Sequence, residues 1–449
     1  MTQPGSPAPD TVDLLVIGGG MAGLTAAARA AHDGARVLVV EVAESLGGSV
    51  RFAGYAWTAP SREVVDEVLP EGDPELRHAL VEGFADGIDW IRSVGVHVGE
   101  AQPILGFGTG HAFDTNQYVD LCRRLVLEHG EVLTSTRAIA LLQNDGRVAG
   151  ARVRLPDGTL REIAATATVI ATGGFQADPE LRVAHVHPNA ASIPLRSNPA
   201  SSGGGLRLAR EVGAATGPDD AGFYGHLVPS GVPFADSGDF VGLSLYYSEH
   251  ALLFNLANER FADETLGDHL TTMALLEQPE ARGLLVADAR VHRDWIVAAY
   301  VDGAESNDKF AAASRRGGRC GIAESLDELA LLPEEWGYDG QAIADAIAAY
   351  NQLEETGQPT PGRKLDRLPL DEPPYYVIEA VPAITFPFYG IRIDSSARVL
   401  DTAGDPVPGL FAAGSDTGGL YVRAYAGGIA SALVFGLTAA RTAMEQTRV

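Results

Sequence analysis

The chain has 449 residues, of which 46% are hydrophobic and 20% charged, with 52 glycines and a formal net charge of −26. This length buries a large core and accommodates two or three domains, and the composition is that of a globular enzyme rather than a disordered or fibrous protein. The acidic balance excludes nucleic acid and anionic membrane surfaces as partners, because no basic patch is present to offset phosphates. Two cysteines, Cys122 and Cys320, make neither a disulfide framework nor a metal cluster, which fits a reducing, cytoplasmic setting. The first ten residues, MTQPGSPAPD, lack the basic start and apolar stretch of a signal peptide and read as a frayed tail.

Residues 12–17, VDLLVI, read as a short apolar strand followed by a glycine-rich turn. An alanine-rich helix from Ala22 to Gly34 and a second strand at 35–41, ARVLVVE, complete a βαβ start. From 60 to 130 the pattern is helical, in amphipathic stretches such as PELRHALVEGFADGIDWIRSVG and NQYVDLCRRLVLEHG. Residues 132–172 change to short strands with turns at Asn144-Asp145-Gly146 and Pro156-Asp157-Gly158. This predicts an antiparallel meander that returns to the main sheet at 167–171, ATVIA.

From 225 to 365 the composition is mixed, with a helix in GQAIADAIAAYNQLEETG and loops in DGAESNDKF and SRRGGRCG, which predicts an inserted second domain. After Pro373-Pro374, strand signals return in YYVIEAV, GIRID and GLFAAG, and a helix closes the chain. No charge falls between Arg423 and Arg441, a length at the lower edge of the roughly 17 residues that span a bilayer. The run is rich in Gly, Ala, Ser and Thr and opens with Gly427-Gly428, so it predicts a buried helix packed closely on a ligand, not a membrane span.

Gly18-x-Gly20-x-x-Gly23 sits directly between strand and helix. In such a turn the first glycine permits the bend, the second lets the backbone approach a pyrophosphate, and the third allows close helix–strand packing. The positive helix N-terminus then faces the phosphates. Glu41 ends the second strand, placed to accept the ribose hydroxyls of a dinucleotide. Gly47-Gly48-Ser49 follows the acid, Ala171-Thr172-Gly173-Gly174-Phe175 ends the meander, and Gly414-Ser415-Asp416 follows the strand Gly-Leu-Phe-Ala-Ala. An extended FAD needs such a second wall. Gly427-Gly428 would set the last helix N-terminus beside the flavin pyrimidine edge, where its dipole stabilises the reduced anion.

These residues resemble the flavoprotein superfamily of fumarate reductases, succinate dehydrogenases and 3-ketosteroid dehydrogenases. The resemblance is carried by VIGGGMAGLTAAARAA, ATGGF, SGGGLRLAREVGA, LLFNLANERFADE, and GIRIDSSARVLDTAGDPVPGLFAAGSDTGG with GGIASALVFG, and it covers most of residues 12–440. It implies an α/β fold: a Rossmann-like (GR-type) FAD-binding domain at 1–224 and 366–449, an inserted α+β capping domain at 225–365, and an active site between flavin and cap. No histidine follows Gly48-Ser49 in the way that carries covalent flavin in succinate dehydrogenases, so non-covalent FAD is expected. The expected FAD contacts are Gly18, Gly20, Met21, Ala22, Gly23, Glu41, Gly47, Gly48, Ser49, Ala138, Thr172, Gly173, Gly174, Gly414, Asp416, Gly427, Gly428, Ile429 and Ala430.

Departures from the family pattern narrow the chemistry. Tyr425 stands where soluble fumarate reductases have an arginine that delivers the proton, and Gly267 stands at the arginine position that follows their Arg-Phe-x-x-Glu, here Arg260, Phe261 and Glu264. Dicarboxylate reduction is therefore the lesser alternative. Tyr425-Ala426-Gly427 is similar to the Tyr-Pro-Gly of ketosteroid dehydrogenases. The resemblance implies dehydrogenation of a carbon–carbon bond next to a carbonyl in a small ketone, cyclic ketones included, or the reverse ene-reduction, with hydride passing through flavin N5.

Tyr425 is the first candidate base or acid, and His226 the second, since a histidine titrates near neutrality and can donate to an oxyanion. Tyr247, Tyr389 and Arg423 are candidate substrate-binding residues; Tyr224 and Tyr246 could line the same cleft as Tyr247, although packing is the usual role of such aromatics. His185 and His187 lack a third ligand, so no metal is expected. Arg315, Arg316 and Arg319 read as a mobile cap loop. The partners are a small-molecule substrate and an unassigned electron donor or acceptor. A redox-neutral flavoprotein (isomerase or hydratase) and a non-catalytic FAD-binding protein stand as alternatives from other classes.

Overall fold

The computed structural model describes residues 10–104, 106–233, 239–298, 307–353 and 361–447. The expected frayed tail, apart from Asp10, and residues 302–306 of the DGAESNDKF loop lie outside them. The chain divides into two compact units: Met1–Leu181 with Ser197–Phe223 and Phe386–Val449, and Arg182–Arg196 with Tyr224–Thr385.

In the first unit, β1 (Asp10–Ile17) leads through the glycine turn into α1 (Met21–His32) and back to β2 (Val37–Val40). Among the described residues eight strands form the main sheet, in the order 398–400, 406–412, 160–170, β1, β2 and 130–133; strands 137–144 and 147–154 join it through 160–170. Both neighbours of β1 run parallel to it. Their side chains are buried on both faces, which is why Leu14–Ile17 and Val37–Val40 read as unbroken apolar runs. The meander turns at Asp145 and Gly146, both at positive φ, as a two-residue hairpin turn demands. The stretch read as helical from 60 to 130 holds helices at Arg62–Val68, Pro74–Ser93 and Thr115–His129. Between the last two lies a hairpin, Gln102–Ile104 with Gly108–Ala112, whose short polar, glycine-rich sequence carries little periodic signal.

The final helix, Gly428–Thr447, packs against α1, with Gly436 lying against the Ala22 carbonyl and Thr25. Alanine on α1 keeps that approach close. Among the described residues no helix is long and apolar enough to cross a membrane.

The second unit is built on a sheet in the order 223–229, 375–387, 283–287 and 252–254, with Cys320–Ala323 pairing 375–387. Its side chains alternate between two cores. Leu253, Leu285, Ala287, Ile378 and Ala380 fill one, and Leu252, Phe254, Leu284, Val286 and Val377 fill the other. Helix Gly340–Leu353 covers the second core with Ile343, Ala344, Ile347 and Tyr350, a helical stripe. The sequence places the return to the outer domain at 366, whereas strand Tyr375–Pro387 pairs with Gly283–Ala287 and stays with the second unit as far as Thr385.

Candidate functional site

Three loops leave the main sheet at the same edge. Ile17 is level with Ile170 across one ladder, and Ala412 with Ile170 across the next. The turns after them, Gly18–Gly20, Thr172–Gly174 and Gly414–Asp416, therefore emerge side by side at the carboxyl ends of parallel strands, where open α/β sheets bind ligands.

The first turn is shaped for a backbone-contacting anion. A Cβ on Gly23 would lie 1.9 Å from the Gly18 carbonyl oxygen, so α1 packs directly on the turn. On Gly20 the nearest neighbour of such a Cβ is the Gly47 carbonyl at 3.7 Å, leaving that face open. No side chain caps α1 at Gly20, and its first turn carries no acid. Unscreened helix-terminal amides beside an open glycine suit a pyrophosphate. Met21 and Ala22 are buried in the first turn of α1. Glu41, directly after β2, takes hydrogen bonds from the Gly19 and Ala43 amides, each at 2.7 Å. Its carboxylate thus fixes the turn and retains acceptor capacity for ribose hydroxyls. The Thr136 amide donates to the Glu41 carbonyl, just before the strand 137–144 that carries Ala138.

The second wall is held by Asp416. Its buried carboxylate accepts from the Thr172, Gly173 and Gly174 amides and from Thr172 Oγ1. Burial pushes this carboxyl above its usual range, and the four donors work against that shift. Asp416 therefore ties the second turn to the third. Beside it, Gln176 Oε1 is buried without a partner, while its amide nitrogen donates to Gly173 O and Ser197 Oγ. Ser197 also bonds Ser49, next to Gly47-Gly48. An orphaned buried carbonyl between two glycine turns fits a cofactor that brings its own donors.

At the start of the last helix, Tyr425 Oη accepts from the Gly428 amide at 2.7 Å, and Tyr421 Oη donates to the Gly427 carbonyl at 2.9 Å. Tyr425 is 9% exposed and packs edge-on against Trp57 and beside Phe386. Gly427, at φ +100°, lies against the Trp57 carbonyl; Ile429 and the buried Ala430 follow in the helix. A small cleft is lined here by Phe386, Phe388, Gly414, Ser415, Tyr421 and Ser431, among others.

Of the expected substrate residues, Tyr389 is buried, with its hydroxyl between Arg210 and Thr216. Arg423 is exposed on the loop before Tyr425. Tyr247 belongs to a core of the second unit, 3% exposed, with a hydroxyl that has no partner. Tyr389 and Arg423 belong to the first unit and Tyr247 to the second. The other expected residue, His226, lies on strand Phe223–Pro229 and is buried.

His226 is where the second unit concentrates its chemistry. Nδ1 lies 2.5 Å from Asp268 Oδ2, and Nε2 lies 2.9 Å from Tyr224 Oη. Asp268 Oδ1 accepts from the Leu227 amide and Ser248 Oγ. Burial pushes the Asp268 carboxyl up to about 7. Burial, with the Arg196 charge behind it, holds His226 well below its ordinary value. Arg196 is buried among the hydroxyls of Ser244, Thr385 and Tyr246, and the Tyr246 ring sits 4.9 Å from that of His226. Sequence reasoning missed Arg196 and Asp268. Tyr224 and His226, two apart on a strand, carried a readable signal, since such residues share a face.

The other charged motifs of the sequence are engaged in ion pairs. Arg260 grips Glu264 with two part-buried hydrogen bonds, and the buried Arg363 adds a third. Arg316 pairs with Asp239, and Arg319 with Glu379. His187 accepts from the Asn189 amide as a helix cap. Among the described residues no group of side chains is arranged to hold a metal ion.

The glycine turn, the buried acid and the doubly walled sheet edge define a dinucleotide-binding oxidoreductase. The chain belongs to the FAD binding domain family, which matches residues 13–431. It is 28% identical to a fumarate reductase (cytochrome) of Shewanella frigidimarina, over 98% of this chain and 78% of that protein. It is 26% identical to the vinyl phenol reductase of Lactiplantibacillus plantarum, over 92% and 91% of the two chains. Among solved structures, the open conformation of a flavocytochrome c3 fumarate reductase superposes with a TM-score of 0.73 at 24% identity, covering 98% of this chain and 79% of that one. The 3-ketosteroid-Δ4-(5α)-dehydrogenase of Rhodococcus jostii, in complex with 4-androstene-3,17-dione, does so with 0.76 at 20% identity, covering 97% of each. The chain is thus an FAD-dependent oxidoreductase with the fold of both groups.

Proposed function

We propose that this enzyme transfers hydride between its FAD and a carbon–carbon bond next to a carbonyl, desaturating a small ketone or reducing the corresponding enone. The observation that carries this reading is the Gly428 amide donating to Tyr425 Oη at the head of the last helix. A donor on a phenol oxygen, reinforced by the positive helix end, makes the phenol a stronger proton and hydrogen-bond donor. Such a group suits a carbonyl oxygen that gains negative charge as the neighbouring carbon loses a proton. Bound FAD supplies the two-electron chemistry. Gly18–Gly23, Glu41, the Thr172–Gly174 turn and Gly414–Asp416 hold it without a covalent link, and Tyr425 orients the substrate.

A second reading, reduction of a double bond conjugated to a carboxylate, is favoured by the likeness to a fumarate reductase. Product analysis separates the two. With reduced methyl viologen as donor, turnover of 2-cyclohexenone or 4-androstene-3,17-dione to the saturated ketone is expected, with fumarate and urocanate slower. Saturated acid from fumarate alone would select the second reading, and no product from any of the four would count against both.

A further inference from the structure

The turns of the cofactor site follow the strand order of the main sheet. Glu41 follows β2, Gly18–Gly20 follow β1, Thr172–Gly174 follow strand 160–170, and Gly414–Asp416 follow strand 406–412, each strand pairing with the next. A dinucleotide with its pyrophosphate at Gly18–Gly20 and its adenosine ribose at Glu41 therefore runs its other half past Thr172–Gly174. In FAD the group next to the pyrophosphate on that side is the ribityl chain, an uncharged open-chain polyol.

The side chains at that turn leave one acceptor and one donor unused. Gln176, 1% exposed, gives both Nε2 hydrogens away, to Gly173 O at 2.9 Å and to Ser197 Oγ at 3.1 Å. This fixes the carboxamide, because a flipped one would set its oxygen against the Gly173 carbonyl. Oε1 is then an acceptor, buried and without a partner. Gly174, at φ +85°, keeps the approach to it clear: a Cβ there would lie 2.9 Å from Oε1. Ser49 and Ser197 share one hydrogen bond of 2.8 Å, while Ser49 Oγ accepts the Asn198 amide and Ser197 Oγ accepts Gln176. Two hydroxyl hydrogens serve one mutual bond, so whichever serine donates, the other keeps a hydrogen to give. All four residues belong to the first unit.

We propose that Gln176 binds the ribityl chain of FAD: Oε1 accepts from one ribityl hydroxyl, whose oxygen takes the spare hydrogen of the Ser49–Ser197 pair. An acceptor beside a donor matches a group that both gives and takes a hydrogen bond, as a hydroxyl does and a phosphate does not. The neighbouring carboxylate of Asp416 is already engaged, since each of its oxygens accepts two donors from Thr172–Gly174. FAD thus satisfies a carbonyl that the protein otherwise buries unpaired. The proposal stands on the FAD assignment and is independent of the hydride-transfer reading.

The test strips FAD from the full-length protein and follows flavin fluorescence as cofactor is returned. The probes are FAD, three analogues lacking the 2′-, 3′- or 4′-hydroxyl of the ribityl chain, and one lacking the adenosine 2′-hydroxyl. In the wild-type protein, loss of one ribityl hydroxyl should weaken binding about 10-fold or more, because its partners are left buried and unpaired. Gln176→Met should weaken FAD binding by a similar factor, and should bind FAD and that analogue equally well. The adenosine analogue should lose the same factor in both proteins. Three ribityl analogues that all bind the wild-type protein as tightly as FAD would overturn the proposal without any variant. A Gln176→Met protein with wild-type affinity for FAD would also overturn it. So would one that still discriminates against the analogue, which would leave Gln176 a support for the Gly173 turn. Discrimination lost for the adenosine hydroxyl instead would put Gln176 at the wrong end of the cofactor. No substrate is present, so none of these outcomes bears on the hydride-transfer reading, and failure of that reading leaves them unchanged.

Discussion

The Tyr425 phenol oxygen accepts the Gly428 amide at 2.7 Å, so a side chain named from sequence as a catalytic candidate also caps the helix that begins three residues later. The two roles separate on substitution. Tyr425→Phe should cost about 1 kcal/mol of stability, as a lost helix cap does. It should slow turnover about 10²–10³-fold, as a lost hydrogen-bond donor to a developing oxyanion does. Thermal melts and single-turnover flavin kinetics on the same preparation read both. A full rate with a lowered melting temperature would leave Tyr425 as a cap alone.

Gly20 and Gly23 should fail in different ways. Gly20→Ala adds a methyl to an open face, so the protein should fold with its stability intact and bind FAD weakly. Gly23→Ala drives a methyl into the Gly18 carbonyl and should destabilise the fold by about 3 kcal/mol or prevent it. Fluorescence titration of apoprotein with FAD, beside urea unfolding, distinguishes a ligand-facing glycine from a packing one.

Asp416 is the tie between two walls of the cofactor site. Asp416→Asn exchanges an acceptor for an amide donor opposite backbone N–H groups and should destabilise by about 2–3 kcal/mol. FAD retention on gel filtration should drop with it. Retention equal to wild type would show that the Thr172–Gly174 turn holds its shape unaided.

The pH dependence follows from Asp268, whose carboxyl burial lifts to about 7. A carboxyl whose folded pKa stands above its unfolded value binds a proton on folding between the two, so stability should fall as pH rises from about 4 to about 7. Asp268→Asn should flatten that slope in a series of thermal melts. An unaltered slope would contradict it.

Tyr247 should prove dispensable. Its hydroxyl is buried without a partner in an apolar core, so Tyr247→Phe should leave turnover unchanged and raise stability by about 1 kcal/mol. A loss of substrate affinity would return it to the binding site that the sequence suggested.

The cofactor half of the molecule was legible because its signals are local. Strand, glycine turn and helix follow one another from Val12 to His32, and the Asn144-Asp145-Gly146 turn specifies its own hairpin. The second unit was less so. Tyr246 and Tyr247 are adjacent in a short 3₁₀ turn, which sends one to Arg196 and the other into the core; no periodicity in the sequence announces that split. His226 meets Asp268 across 42 residues, a contact created by packing the start of helix Asp268–Leu276 against a strand. The apolar run after Arg423 is a buried helix, as its small residues indicated.

The central claim is that the bound FAD exchanges hydride with a carbon–carbon bond next to a carbonyl. Its most direct test is an anaerobic cuvette holding the dithionite-reduced, FAD-loaded protein, to which 2-cyclohexenone, 4-androstene-3,17-dione, fumarate or urocanate is added while the flavin spectrum is followed. The account predicts return of the oxidised flavin bands with one of the two enones, one equivalent of saturated ketone per flavin. Reduced flavin that persists with all four compounds, in protein that air still reoxidises, would contradict it.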